Sequence, residues 1–491
     1  MVYRRLGVVW LLACGTWLAG PALADEGHAE HCLVVDTDMG LDDIVTLALV
    51  LQNPDVDLHA VVACAGASSP AGGIECIERM LDLFNRRDVA VHEPAPSSDR
   101  PAPPYRGYAE KALRQALPAS VTPWHKPFSP DVYVDIDVDH HTTVLALGPL
   151  TNLAAALRER PEIAERIEEI IIPGPPSAEA SGNARFDPAA FAAVLKSGVP
   201  LAFVESAGQA GKPAAWAEPN RRIGQGTSIA ETFLQRLFVN ADVRNHYVRE
   251  YDTFYDELAF LHCVGPQVFS EVTRERASEG ELHVCRPRSR EAVLKLLMEL
   301  LDNGRQHKDR VVFAEGPLPA SMFAPDVRAR QAAIIEKNGE NEWFAQLLMN
   351  ELHEHMGAYS VVGVKMGLRA AELLNAPQHG MMVVAHTPPG PPVSCLNDGV
   401  IMATGCTPGR CLFRHEPGED GRVAVTFSYN DGELTLVLKP EYRKRVREVI
   451  QGLLKEHTLE DKEYWDGVRV LGLDIWENWH RRDLFDIEPG A

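Results

Sequence analysis

The sequence has 491 residues and a formal net charge of −21, with 45% hydrophobic and 24% charged residues. This length exceeds one ordinary hydrophobic core, so we expect two domains of a globular protein. An acidic chain without a basic stripe disfavours nucleic acid as a partner and leaves small molecules, cations and proteins open.

The N-terminus has the pattern of an export signal over residues 1–24. A short basic region, MVYRR, precedes an apolar stretch, and small residues end at Ala24. We therefore expect a periplasmic or secreted protein. Lipoprotein acylation at Cys14 is the alternative, although the residues after Cys14 stay apolar instead of forming a polar tether. No later stretch is long and apolar enough to span a membrane.

Strand and helix patterns alternate over residues 30–315 and predict an α/β domain with an open, mostly parallel sheet. Ligands of such sheets bind at the carboxyl ends of the strands. The Pro-rich segment 316–338 is predicted to be a linker. Residues 339–491 predict a smaller α+β domain, with a hairpin turn near Asn430 and Gly432.

An acidic cluster follows the first predicted strand in LVVDTDMGLDD (33–43), where four carboxylates belong to Asp36, Asp38, Asp42 and Asp43. Carboxylates this close repel one another unless a positive charge compensates. Hard oxygen ligands on a tight turn suit calcium or magnesium better than zinc. Gly40 is expected to permit the sharp strand-to-helix turn.

DTDMGLDD resembles the signature of the calcium-dependent inosine-uridine nucleoside hydrolases. Three further segments follow in that family's order: LALGPLTNLAAAL (145–157), GNARFDPAA (182–190) and YDELAFLHCVGPQVF (255–269). The resemblance covers roughly residues 31–300 and implies a nucleoside-hydrolase-like fold. It also implies calcium as cofactor, a small riboside as substrate and compatibility with a homo-oligomer.

The resemblance assigns roles residue by residue. The implied calcium ligands are Asp38, Asp43, Asp256 and the Leu147 carbonyl, with Asp36 supporting the metal cluster. Asp38 would also be the general base on the attacking water, because a carboxylate beside a metal can accept its proton. Asp42 and Asn183 would hold the ribose hydroxyls, and Tyr255 would lie near the leaving base.

Several positions depart from the family pattern. Met39 stands where the family has proline, Ser181 where it has a ribose-binding glutamate, Ala67 where asparagine is common, and Tyr255 where many members have histidine. The residues implied to bind the metal (the metal half of the site) are therefore all present, whereas several positions implied to contact the substrate (the substrate half) are altered. We expect a calcium-dependent hydrolase of an N-glycosidic bond in a nucleoside-like or modified riboside, with neither inosine nor uridine as best substrate.

Two other functions remain open at this point. A non-catalytic, calcium-dependent nucleoside- or sugar-binding protein would keep the metal half and lose leaving-group activation. A haloacid-dehalogenase-like phosphatase would use Asp36 as its nucleophile, because Asp-x-Asp after a strand also opens that family.

The second domain has its own candidate site. HEHMGAYSVVGVKMGLRAAELL (353–374), PPVSCLNDG (391–399) and TGCTPG (404–409) resemble the E-subunit family of formylmethanofuran dehydrogenase over about residues 340–440. Zinc or iron would suit imidazole and thiolate ligands from His353, His355, Cys395 and Cys406, with Asp398 as a further oxygen. Histidines two apart do not share a helical face, so they should lie in a loop or at a helix start. The alternative is a solvated histidine patch with buried or disulfide-bonded cysteines.

Overall fold

The computed structural model describes residues 31–53, 56–96, 102–103, 106–117, 121–134, 142–206, 228–240, 243, 255–274, 280–301, 318–418, 421–430 and 432–490. The predicted export signal, residues 1–24 with Cys14, lies outside the described residues and stays a prediction.

The first domain is built on an eight-stranded sheet with the strand order β3-β2-β1-β4-β5-β6-β8-β7. Neighbouring strands run parallel except β7, which pairs antiparallel with β8 at one edge. The predicted α/β fold with a mostly parallel sheet is confirmed. The strands are β1 His31–Thr37, β2 Val56–Ala63, β3 Ala90–His92, β4 Thr142–Ala146, β5 Ile167–Pro173, β6 Leu201–Val204, β7 Phe269–Arg274 and β8 Leu282–Pro287.

Helices cover both faces of this sheet, as the apolar strands require. Leu33 and Val35 of β1 pack into one hydrophobic cluster and Val34 into another, on the opposite face. The helices are α1 Leu41–Gln52, α2 Pro70–Leu83, α3 Tyr108–Ala116, α4 Thr151–Glu159, α5 Gly182–Phe186, α6 Pro188–Val194, α7 Ile229–Val239, α8 Asp256–Val264 and α9 Arg290–Leu301.

The second domain is α+β, as expected. Its five-stranded sheet has the order β10-β9-β11-β12-β13. The strands are β9 Met382–Ala385, β10 Phe413–His415, β11 Ala424–Tyr429, β12 Gly432–Leu438 and β13 Phe485–Pro489. The helices are α10 Pro325–Arg328, α11 Gln331–Asn338, α12 Glu340–Leu352, α13 Ala358–Leu374, α14 Cys395–Thr404, α15 Pro440–Glu456 and α16 Lys462–Asn478.

The predicted linker at 316–338 needs correction from Pro325 onward. Helices α10 and α11 bury Val327 and Ile334 in the core of the second domain, and the Asn338 side chain donates to the Trp476 carbonyl. These residues are therefore part of that domain. The sequence misled because proline and small residues also begin short helices.

Three asparagines join the domains, and all three have the positive φ that asparagine tolerates best among non-glycine residues. The Asn375 amide donates to the carbonyls of Leu51 and Phe84, at 2.7 and 3.3 Å. Asn85 donates in the other direction, to Leu374 and Tyr429. Asn430 donates to the Asn85 carbonyl.

This interface lies at the C-terminal ends of helices α1 and α13. Helix α1 begins at Leu41 and ends beside the Leu51 carbonyl that Asn375 binds. Its twelve residues span about 18 Å. The second domain therefore docks near the amino-end edge of the first sheet, away from the carboxyl ends of the strands.

No helix among the described residues is long and apolar enough to cross a membrane. No disulfide joins the cysteines in these parts of the chain.

We expect Asn375→Gly to weaken the docking of the two domains. Glycine keeps the left-handed backbone but removes two hydrogen bonds to helix-end carbonyls, a loss of about 1–3 kcal/mol. Asn375→Ala should lose about 1–2 kcal/mol more from left-handed strain. Urea unfolding and hydrogen exchange at residues 51–53 and 84–86 measure this. Glycine and wild-type proteins of equal stability would contradict it.

Candidate functional site

The turn after β1 sets the geometry of the acidic cluster. The positive φ of this turn, 53°, belongs to Met39, whereas Gly40 has an ordinary φ of −65°. The expected reason for Gly40 is therefore wrong. It is needed for space, because a Cβ there would lie 2.8 Å from an Asp43 oxygen and 3.0 Å from an Asp42 oxygen. A proline at position 39 could not adopt this φ.

Asp42, Asp43 and Asp256 form the acidic trio. Among the described residues, their ligand oxygens lie within 4.8 Å of one another. Asp42 and Asp43 stand in the first turn of α1, and Asp256 in the first turn of α8. Helix N-termini favour negative charge there, but two helix ends do not neutralise three clustered carboxylates, two of them buried.

Two carboxylates of the trio have raised pKa values, because burial removes the water that would stabilise their negative charge. Burial and the nearby Asp43 raise the pKa of Asp42 to about 7. Burial, together with Asp42 and Asp43, raises the pKa of Asp256 well above its usual range. The neighbouring carboxylate of Asp43 contributes to this rise. A hard divalent cation fits this donor set, since its charge would compensate the clustered carboxylates.

Asp36 lies apart from the trio, on the other face of β1. Its carboxylate accepts from the Tyr133 hydroxyl at 2.5 Å and from the Asn152 amide at 3.2 Å. Burial raises its pKa to about 7 despite these donors. Asp36 therefore lies close to the acidic trio but on the opposite face of β1, where Tyr133 and Asn152 hold it in place. Its side chain is 1% exposed and is held from two sides, an arrangement that does not favour the phosphatase alternative, in which Asp36 would be the nucleophile.

Asp38 also lies outside the trio but beside it. Its Oδ2 accepts from the Ala67 backbone N–H at 2.9 Å. Burial, then the charge of Asp43, raises the pKa of Asp38 well above its usual range. The loop after β2 thus fixes the orientation of Asp38.

Two other predicted site residues meet directly. The Asn183 amide donates to the Leu147 carbonyl at 2.6 Å. The carbonyl predicted to bind metal and the amide predicted to hold ribose therefore share one position, at the carboxyl end of β4.

The departures in the substrate half have local roles. The Ser181 side chain caps α5 by accepting from the Ala184 N–H. The Ala67 methyl lies against Gly40. Tyr255 precedes α8 and is 37% exposed. None of these arrangements restores the acidic or imidazole group that the resemblance leads one to expect.

Four residues near the cluster were not predicted. Thr37 donates to Asp43 at 2.5 Å, and Tyr133 and Asn152 hold Asp36. Burial raises the pKa of Glu257, beside Asp256, to about 8. The segment GPLTN contained a signal for Asn152, whereas nothing near Tyr133 in the sequence pointed to this site.

The second domain brings together His353, Cys395 and Asp398, the mixed trio, with ligand atoms within 4.8 Å of one another. His353 is the C-terminal cap of α12, and the other two residues lie in the first turn of α14. The His353 Nε2 lies 3.0 Å from Asp398, and its Nδ1 is buried without a hydrogen-bond partner among the described residues. Imidazole, thiolate and carboxylate suit zinc or iron.

Two of the predicted ligands do not join this group. Cys395 and Cys406 lie at opposite ends of the ten-residue α14, which is about 15 Å long. Cys406 is buried, and its thiol donates to the Thr404 carbonyl. His355 lies in the loop after α12, as expected, but its ring packs against Trp465. Cys406 is therefore separated from the other predicted ligands, whereas the His355 ring lies 5.3 Å from the His353 ring. Asp398, expected only as a further oxygen, belongs to the group itself.

Comparisons with known proteins agree with this geometry. Residues 33–318 match the model of the inosine-uridine preferring nucleoside hydrolase family. Residues 352–481 match the FmdE domain of the molybdenum formylmethanofuran dehydrogenase operon.

Similar individual proteins cover the first domain. A pyrimidine-specific ribonucleoside hydrolase of Enterobacter sp. is 27% identical over 49% of this chain and 82% of its own length. One from Klebsiella pneumoniae is 26% identical, over 51% and 84%. Among solved structures, an inosine-uridine preferring nucleoside hydrolase of Bacillus anthracis has a TM-score of 0.46 and 19% identity, over 56% of this chain and 99% of its own.

We expect Asp256→Asn to abolish stabilisation of the protein by calcium. In chelator at about pH 8 the variant should instead be more stable than wild type. A carboxyl whose pKa is raised by folding contributes stability at low pH that is lost as pH rises, and asparagine cannot ionise. Thermal unfolding measures both effects, at about 2–4 °C per kcal/mol.

Glu169→Gln is the matched control for this test. Burial raises the pKa of Glu169 to about 7 without any link to the trio. This variant should share the gain in stability at high pH and keep the calcium response. Equal calcium responses of Asp256→Asn and wild type would contradict the assignment.

We expect Cys395→Ser to lose most bound zinc or iron(II), because it replaces a soft thiolate with a weaker ligand. Cys406→Ala should retain the metal. Elemental analysis after metal loading and desalting measures this, with circular dichroism to verify folding. Equal metal content in the two folded variants would contradict the mixed trio.

Proposed function

The chain belongs to the inosine-uridine preferring nucleoside hydrolase family, and from this membership we propose that it is a calcium-dependent hydrolase of an N-glycosidic bond in a nucleoside-like or modified riboside. The observation that carries the proposal is the acidic trio beside the carboxyl ends of the central strands, in which Asp43 and Asp256 are buried. The similar ribonucleoside hydrolases support the substrate class.

The residues of the chain divide the work. In this proposal the ribose hydroxyls are held by Asp42, at the start of α1, and by Asn183, whose amide donates to the Leu147 carbonyl. Breaking the N-glycosidic bond builds positive charge on the sugar, which surrounding carboxylates stabilise. The trio therefore favours this transition state over the neutral substrate.

Asp38 is the proposed general base. Its carboxylate is oriented by the Ala67 N–H, and in its ionised form it would accept a proton from the attacking water. Burial and neighbouring acids favour the protonated form of Asp38, which cannot do this. Calcium, when bound by Asp43 and Asp256, would supply the positive charge that keeps Asp38 ionised and makes water more acidic.

A second candidate function is ligand binding without turnover. It is favoured by the substrate half of the site, where Ser181 caps a helix, Ala67 presents a methyl group and Tyr255 replaces an imidazole. Metal and sugar binding would survive these changes while leaving-group activation would not.

The second domain is proposed to be a metal-binding accessory module. The buried, unpartnered Nδ1 of His353 and the mixed trio support this. Export and homo-oligomer formation remain proposals from the N-terminal pattern and the resemblance.

We expect release of free ribose from a panel of nucleosides and modified ribosides when calcium is present, and its loss on chelation. Asp38→Asn should lower kcat by about 10²–10⁴-fold, the range for removing a general base. A reducing-sugar assay measures the release. Asp57→Asn, an exposed aspartate of β2, is the control and should keep full activity.

Ligand binding that depends on calcium, without ribose release from any panel member, would contradict hydrolysis and select the binding protein. Release that persists after chelation would contradict the role of calcium.

A further inference from the structure

A cationic side chain reaches the loop that holds Asp38. The Arg106 Nε–H donates to the Gly66 carbonyl at 3.0 Å. The next residue, Gly107, donates its N–H to the Ala67 carbonyl. Arg106 and Gly107 therefore both bind the loop at Gly66 and Ala67. The Ala67 N–H of this loop also donates to the Asp38 carboxylate.

Gly66 separates the guanidinium from the proposed general base by one residue. A Cβ on Gly66 would lie 1.8 Å from Asp38 Oδ2, so the carboxylate rests on the Gly66 Cα. With standard backbone dimensions, these contacts place Arg106 Nε within about 9 Å of Asp38 Oδ2. A riboside whose sugar lies at the acidic trio can span that distance.

The guanidinium has unused donor capacity at this position. Its Nη2 is buried and has no hydrogen-bond partner in the parts of the chain that the structure describes. The Ala67 carbonyl of the nearby loop accepts from the Gly107 N–H, and the Ala67 side chain is a methyl group without an acceptor. A buried guanidinium nitrogen requires an acceptor, and carboxylates and phosphates match its geometry best.

We propose that Arg106 determines specificity by binding an anionic substituent, a carboxylate or a phosphate, of the riboside. This inference rests on the proposed function and deepens it by naming the substrate class. A chain with a net charge of −21 repels anions at long range. A local cation beside the site is therefore the feature that an anionic substrate needs and a neutral nucleoside does not.

Three related compounds test the proposal: uridine is neutral, orotidine adds a carboxylate to the base, and uridine 5′-monophosphate adds a phosphate to the sugar. Binding is measured by calorimetry with calcium present, in the Asp38→Asn background so that turnover does not interfere. We expect one anionic compound to bind more tightly than uridine. Arg106→Gln should weaken that binding by about tenfold or more, as expected for loss of a charge-assisted hydrogen bond.

Matched variants separate recognition from folding. Arg106→Lys keeps the charge and should restore part of the affinity, less than arginine because it lacks the planar fork. Arg114→Gln removes an exposed arginine that pairs with Glu75, and it should change nothing. Uridine binding should be the same with Arg106 and with glutamine. Tightest binding of uridine, or equal weakening of all three compounds by Arg106→Gln, would overturn the proposal.

Ribose release from the same compounds, measured with Asp38 intact, distinguishes this inference from the proposed function. Anion binding that depends on Arg106 without any ribose release would support the inference and contradict hydrolysis. Ribose release with no preference for an anionic compound would overturn the inference and leave hydrolysis standing.

Discussion

Mutual repulsion among buried carboxylates is the constraint on which the site depends. Asp42, Asp43 and Asp256 converge from two helix starts, and Asp36 and Asp38 lie close by. Neutral donors hold these groups in place: Thr37 binds Asp43, Tyr133 binds Asp36, and Ala67 binds Asp38. Such donors orient carboxylates but do not neutralise them, so the arrangement calls for a cation.

The two domains keep their candidate sites apart. Helix α1 leads from the acidic trio to the interface at Leu51. Helix α13 leads from the interface at Asn375 towards the loop with His353 and is about 25 Å long, given its seventeen residues. Both candidate sites therefore lie along these helices, away from the contacts between the domains. The asparagine hydrogen bonds at the helix ends join the two domains.

Much of the fold followed from local sequence patterns, because buried parallel strands and amphipathic helices have distinct periodicities. The α/β sheet, the second domain and the hairpin at Asn430 were predicted. It was harder to predict from the sequence which distant side chains meet at the site. Tyr133 reaches Asp36 across 97 residues, which no local pattern encodes. Cys406 was wrongly grouped with Cys395 because short sequence spacing hid a helix between them. We expected glycine at position 40 because of its backbone freedom, but the structure shows that it is needed because a Cβ there would crowd the Asp43 carboxylate.

A crystal structure of the protein grown with saturating calcium would test the central claim most directly. We predict anomalous density beside Asp43 and Asp256, with Asp38 and the Leu147 carbonyl completing the coordination at oxygen distances of about 2.3–2.6 Å. An acidic trio without calcium density would contradict the account. It would mean that shared protons, and not a metal, hold these carboxylates together.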